Sequence, residues 1–196
     1  IHEARLPLVS EVAEITRLLS EVGELQEKRA NDPLRAFHAY ARAFARDPEN
    51  EVLRGHVDRL ASRTNIWTDH VAAYEAAFLA ASDDATRLQL LTTIARVQDE
   101  KRGDPRAAIR AYERFLAIEP DDPATLEALE ALHTMVADWR GLVAILERKV
   151  VIALGNEERA EVLRRIGSVY DELIGDREAA IEAYQRAVAE FDNDEI

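Results

Sequence analysis

The chain has no cysteine among its 196 residues, so neither a disulfide framework nor thiolate chemistry is available to it. Glycine and proline are scarce, at 7 and 6 residues. With Ala, Leu, Glu and Arg abundant, that scarcity favours helices over strands. No run approaches the roughly 20 apolar residues a membrane-spanning helix needs, and no signal-peptide pattern is visible. Positive charge is in deficit: 25 Lys and Arg face 38 Asp and Glu, for a formal net charge of −13. A phosphate backbone or an anionic membrane surface is a poor partner for such a chain. Neither nucleic acid nor membrane is an expected partner, and the expected compartment is cytoplasmic. Apolar residues make up 47 % of the chain, enough for a continuous core.

Chemical signatures are also missing. There is no phosphate-binding glycine loop and no Gly-x-Ser-x-Gly elbow. The acidic pairs Asp83-Asp84 and Asp121-Asp122, and the run Asp192-Asn193-Asp194, stand at turns, where Asp caps helices and binds its own backbone. None carries the alternating ligands, turn glycine and distant Glu of a calcium loop. The five histidines, His2, His38, His56, His70 and His133, share no metal-ligand spacing and read as partly exposed polar positions. No enzyme activity, cofactor or metal is expected.

What is present is a period. Asn31-Asp32-Pro33, followed by Ala36, Phe37 and Tyr40, returns as Gly103-Asp104-Pro105, Ala108, Ile109 and Tyr112. It returns again as Gly175-Asp176-Arg177, Ala180, Ile181 and Tyr184. Asp32, Asp104 and Asp176 stand 72 residues apart. The same shift aligns Leu19, Val22, Gly23 and Gln26 with Leu91, Ile94, Ala95 and Gln98, then with Leu163, Ile166, Gly167 and Tyr170. It also pairs Trp67 with Trp139 and Val71 with Val143. A fixed offset with compatible apolar residues marks a repeat architecture.

Apolar residues at spacings of three and four give one buried stripe per helix. Asp-Pro at 32–33, 104–105 and 122–123 joins an N-cap acceptor to a proline at the first helical position. Pro48 and Pro120 close preceding helices. The spacing predicts ten helices, at about 10–29, 33–46, 50–63, 67–81, 84–101, 105–118, 123–136, 139–154, 157–173 and 177–190. The predicted fold is all-α.

Over nearly its whole length the chain resembles the tetratricopeptide repeat family, whose units of about 34 residues divide each period into two. The matching residues are Leu163, Ile166-Gly167, Tyr170, Ala180 and Tyr184 in the best-matched unit. Leu91, Ile94-Ala95, Ala108, Tyr112 and Pro120 match in another, and Leu19, Val22-Gly23, Ala36, Tyr40 and Pro48 in a third. Between them lie degenerate units, with Asp58 and Glu130 where the family has a small residue. The first helices of the better-matched units are one residue longer than the family pattern. The resemblance implies a right-handed solenoid of antiparallel helix pairs. It also implies a single array over residues 1–196, in units of about 10–48, 49–82, 83–120, 121–154 and 155–192.

Shifted by one period, Ile1-His2-Glu3-Ala4 falls on Ala73-Tyr74-Glu75-Ala76, and Asn193 falls where a new unit would begin. These alignments suggest a segment of a longer array, able to self-associate end to end through bare outer helices. Trp67 and Trp139 are expected to wedge between helix pairs as core residues, with Trp139→Ala costing about 3–5 kcal/mol.

For function, the resemblance implies a non-catalytic scaffold or adaptor that takes a peptide or protein on its concave face, lined by the first helix of each pair. Carried over by alignment, the partner-facing residues are Arg17, Ser20 and Glu24, then Arg59 and Arg63, then Thr92, Arg96 and Asp99. Glu127, Ala131, Arg164 and Ser168 complete the set. Arg59, Arg63, Arg96 and Arg164 read either as a basic track for carboxylates or as surface arginines paired with nearby acids. The family's two-carboxylate clamp needs Lys and Asn where this chain has Ser20 and Glu24, which argues against that role. A peptide-responsive regulatory module and a structural spacer are the alternatives.

Overall fold

The computed structural model describes the backbone of residues 6–192 and the side chains of residues 11–190. Among these residues the fold is all-α, with no strand. The helices are α1 (Leu6–Lys28), α2 (Pro33–Phe44), α3 (Glu51–Thr64), α4 (Trp67–Ala80) and α5 (Asp84–Glu100). They continue as α6 (Pro105–Ile118), α7 (Pro123–Met135), α8 (Trp139–Ile152), α9 (Asn156–Ser168) and α10 (Arg177–Asp192). All ten expected helices are there; the start of α1 and the end of α9 depart by more than two residues, the latter because the chain goes on as a π-helical stretch over Val169–Ile174. The readings placed on Ile1–Ala4 and Asn193 lie outside the described residues.

The chain forms two compact units, Ile1–Asp104 and Pro105–Ile196. In the first, α1 packs on α2, α2 on α3, α3 on α4 and α4 on α5. In the second, α6 packs on α7, α7 on α8, α8 on α9 and α9 on α10.

Local chemistry sets the helix ends. Side chains of Asp32, Asn50, Asp83, Asp122 and Asp138 each accept a backbone N–H of the first turn they precede. Five residues adopt left-handed backbone just past a helix: Asn31, Asn65, Gly103, Ala137 and Gly175. They fall into two repeat-equivalent sets, 31/103/175 and 65/137, so the period is written in the backbone as well as in the core.

The sets differ in how the helix closes. After α3 and α7 the chain turns back by five residues, Ile66 N–H to Ala61 C=O and Asp138 N–H to His133 C=O. After α1, α5 and α9 it reaches six, from Asp32 to Gln26, Asp104 to Gln98 and Asp176 to Tyr170. The last of these ends a π-helical stretch, Val169–Ile174. A widened turn is how a helix absorbs one extra residue, and these are the helices whose sequence is one residue longer than the family pattern.

The repeat packs through matched pairs. A Cβ on Gly23 would stand 2.8 Å from the Tyr40 ring, and one on Gly167 would stand 2.7 Å from Tyr184. Both glycines let an aromatic ring lie against helix backbone, at equivalent positions of separate units. In the degenerate pairs an acid replaces the glycine and is bonded instead. Asp58 Oδ1 accepts from Tyr74 and lies against His70. Glu130 pairs with Lys149 on α8 and Arg165 on α9.

The tryptophans depart from expectation. Both are half-buried rather than core. Trp67 keeps its indole N–H on Asn65 Oδ1, with the Lys101 ammonium 5.7 Å from its ring centroid. Trp139 lies against the edge of a cluster containing Leu142, Leu146 and Leu163. A helix-starting position reaches the rim of the helix layer, where one ring edge stays wet. Trp139→Ala is accordingly expected to cost about 2 kcal/mol, below the range for fully buried aromatics, as measured by urea unfolding.

Candidate functional site

Helical spacing places Arg17, Ser20, Glu24 and Lys28 on one side of α1. In the first unit they border an open cleft of about 610 Å³ with Val52, Leu53, His56 and Arg59. The cleft also takes in Glu21, Glu27, Asn50 and, from α2, Tyr40. Its floor is aromatic: the buried Tyr40 ring stacks on His56 with centroids 4.2 Å apart and planes 4° apart.

The walls are charged but balanced. Arg59 donates to both oxygens of Glu27, at 2.6 and 2.7 Å, and Arg63 stands 3.8 Å from the same carboxylate. The Arg59 fork holds the Glu27 carboxyl below the usual range. Arg17 donates to Glu14 and Glu21, each at 2.6 Å, and Lys28 to Glu24 at 2.6 Å. Arg59 Nη2 also lies 3.1 Å from His56 Nδ1. A guanidinium only donates, so His56 Nδ1 accepts and the ring is neutral.

Burial and then the Arg59 charge push the His56 pKa below its ordinary 6.5. As pH falls, the unfolded chain therefore takes up this proton before the folded one. The resulting stability is complete above about pH 6.5 and is lost as pH drops through the lower folded midpoint. An NMR titration of the His56 ring should give a midpoint under 6.5. A midpoint above that value would mean the Tyr40 stack and the Arg59 contact do not set the ring's environment.

The structure thus gathers Arg17, Glu24 and Arg59 around one cleft, while Arg63 touches it only through Glu27. Arg96 lies elsewhere in the first unit, exposed on α5 and, among the described residues, without an ion pair. Arg164, on α9 of the second unit, pairs with Glu161 one turn away. Four of the five arginines thus have carboxylate partners, which leaves shape and the aromatic floor as the cleft's main means of selection.

Two histidines depart from the expected exposure. His38 is exposed and His56 partly so, as expected, and His2 lies outside the described residues. His70 and His133, however, are buried. His70 Nε2 stands 2.7 Å from Asp58 Oδ1, which also accepts the Tyr74 hydroxyl at 2.7 Å. Burial, and then Asp58, push the Tyr74 pKa well up. His133 Nδ1 lies 3.0 Å from Asp138 Oδ2, while the other oxygen of Asp138 caps α8. The available signal was local: His70 and Tyr74 are one turn apart on α4, and an acid stands where the repeat wants glycine. Among the described residues no group of three or more His, Cys, Asp or Glu is placed to hold a metal ion, and no helix is long and apolar enough to cross a membrane.

Residues 161–194 match a family model described as Tetratricopeptide repeat. No protein of curated function matches the sequence. Among solved structures the chain is similar to a MamA protein, at 17 % identity with 91 % of this chain and 92 % of that one covered and a TM-score of 0.46. It is also similar to the nearly identical TPR-like repeats of a Podosopora anserina kinesin light chain, at 16 % identity, 91 % and 96 % coverage and a TM-score of 0.45. Superpositions this loose add nothing about function.

Proposed function

We propose, from the tetratricopeptide-repeat match over residues 161–194 and the repeated helix pairs, that the chain serves as a non-catalytic scaffold holding a peptide or protein against the first helices of its pairs. The observation that carries this reading is the cleft of α1 and α3. Its floor is the Tyr40–His56 stack, with Val52 70 % exposed at its edge. An apolar side chain of a partner would lie on that floor, because aromatic area is the part of the surface that gains most from leaving water. Arg17, Glu24 and Arg59 border it, with Arg63 beside Glu27, and all four would exchange their present carboxylate or ammonium partners for those of the peptide. Arg96 and Arg164 are proposed as contacts of the same kind on α5 and α9.

The exchange has a consequence. Since Arg59 is already bonded twice to Glu27, a carboxylate ligand gains only the difference between two similar pairs. Affinity therefore depends on the apolar anchor, and charges set orientation.

Selection of displayed random peptides on the immobilised chain tests this, with the recovered peptides titrated into isotopically labelled protein. The expected result is a shared aromatic or aliphatic anchor, amide shifts on residues 17–28 and 50–59, and at least tenfold weaker binding by His56→Glu. Shifts confined to other surfaces would overturn the assignment of the cleft.

A further inference from the structure

Tyr40 and Tyr74 are the two tyrosines of the first unit, and both are buried, at 4 % and 1 % exposure. Tyr74 gives its hydroxyl to Asp58 at 2.7 Å, as buried polar groups generally find a partner. Tyr40 does not. Among the described residues its hydroxyl has no hydrogen-bond partner, and the residue borders the cleft of α1 and α3. Gly23 brings it there. A Cβ on Gly23 would meet Cζ, Cε1 and Cε2 of Tyr40 at 2.8–2.9 Å, so the hydroxyl end of the ring lies against the α1 backbone.

A second donor lies beside it. His56 stacks on Tyr40, and because its Nδ1 accepts from Arg59, the ring proton sits on Nε2. Among the described residues nothing accepts that proton. The nearby acceptors are already taken. Both Glu27 oxygens hold Arg59, and Glu24 holds Lys28. Burial, and then the Glu27 and Glu24 charges, raise the Tyr40 pKa, so the hydroxyl keeps its proton at neutral pH. The cleft therefore has donors to spare but no spare charge, since Arg17, Lys28 and Arg59 each face a carboxylate. A charged ligand must break one of those pairs, whereas a neutral acceptor displaces only water.

We infer, resting on the reading of this cleft as the partner's seat, that the Tyr40 hydroxyl and the His56 Nε2–H hold an uncharged main-chain carbonyl, and that the occupant is an extended segment. A helix spends its carbonyls on its own N–H groups four residues on, so it has none to offer along its length. An extended segment carries an unspent carbonyl at every residue. It can seat an apolar side chain on the aromatic floor while a carbonyl beside that side chain meets the two donors. The apolar anchor supplies affinity, and the hydroxyl selects backbone conformation.

The probe is the tightest peptide recovered by display, resynthesised with each amide in turn replaced by an ester, which keeps the shape and weakens the carbonyl as an acceptor. On wild type, one position near the anchor should bind about fivefold more weakly as the ester, the worth of one hydrogen bond. Tyr40→Phe should bind the all-amide peptide about fivefold more weakly and show no further loss with that ester, because both changes remove the same bond. Its urea midpoint should match wild type, since the free hydroxyl has no bond to lose. The ester scan on unaltered protein keeps the test independent of how the variant folds. Transferred nuclear Overhauser effects should show the strong sequential α-proton to amide-proton contacts of an extended chain. Peptides that shift residues 17–28 and 50–59 but bind Tyr40→Phe as tightly as wild type, tolerate every ester, or bind as helices would overturn this inference and leave the cleft standing as the seat. Peptides that shift only other surfaces would overturn both.

Discussion

Asp58→Ala is expected to destabilise the first unit by about 3 kcal/mol, because it strands two buried donors at once. Asp58 Oδ1 is the acceptor for the Tyr74 hydroxyl and the neighbour of His70 Nε2, each at 2.7 Å. Both rings are buried and stack on each other with centroids 4.5 Å apart, so neither can turn out to water without opening the core. His70 Nδ1 already lacks a partner, and the loss of Asp58 would leave the whole imidazole unsatisfied. Leaving a buried polar group unpaired costs about 1–3 kcal/mol each. Asp58→Asn keeps an acceptor oxygen and should lose no more than about 1 kcal/mol. Tyr74→Phe removes donor and demand together and should also lose about 1 kcal/mol. Urea unfolding read by Trp67, 5.8 Å from His70, reports on this unit once Trp139 is replaced by Phe. If Asp58→Ala falls within about 0.5 kcal/mol of wild type, the acid is not what keeps the two rings inside.

The same residues show how far the sequence could be read. Ten helices and most of their ends were legible because the signals are local: an Asp or Asn before the first turn, a proline inside it, a left-handed residue after the last. The period was legible because Gly23 and Gly167 must face a ring, and few residue types permit that. Burial of His70 and His133 was not, since a histidine enters a core only when an acid from another turn or helix meets it. Asp58 lies twelve positions before His70 and Asp138 five positions after His133, and neither spacing announces a contact. The candidate site was half legible. Alignment put Arg17, Glu24, Arg59 and Arg63 on a common face, but which carboxylate each cation takes is decided across helices. Glu27, which ties Arg59 and Arg63 together, drew no notice in the sequence. A half-buried tryptophan is likewise a matter of where the helix layer ends, which no periodicity reports.

Gly23→Ala should cost about 2–3 kcal/mol, whereas the equivalent Gly167→Ala should lie within about 1 kcal/mol of wild type. The added methyl meets the same obstacle in both, a tyrosine ring 2.7–2.8 Å away, so close that the ring must move. What differs is the room behind the ring. Tyr40 is buried with His56 stacked on it, and displacing it also disturbs the Arg59 contact. Tyr184 is 36 % exposed and can swing toward solvent. The helix itself favours alanine over glycine by about 1 kcal/mol, and Ala95 already occupies this position in the middle copy. That gain offsets most of the strain at Gly167 and little of it at Gly23. The pair is compared by urea unfolding. Equal losses at the two sites would mean that the close approach to the ring, and not the freedom behind it, sets the cost.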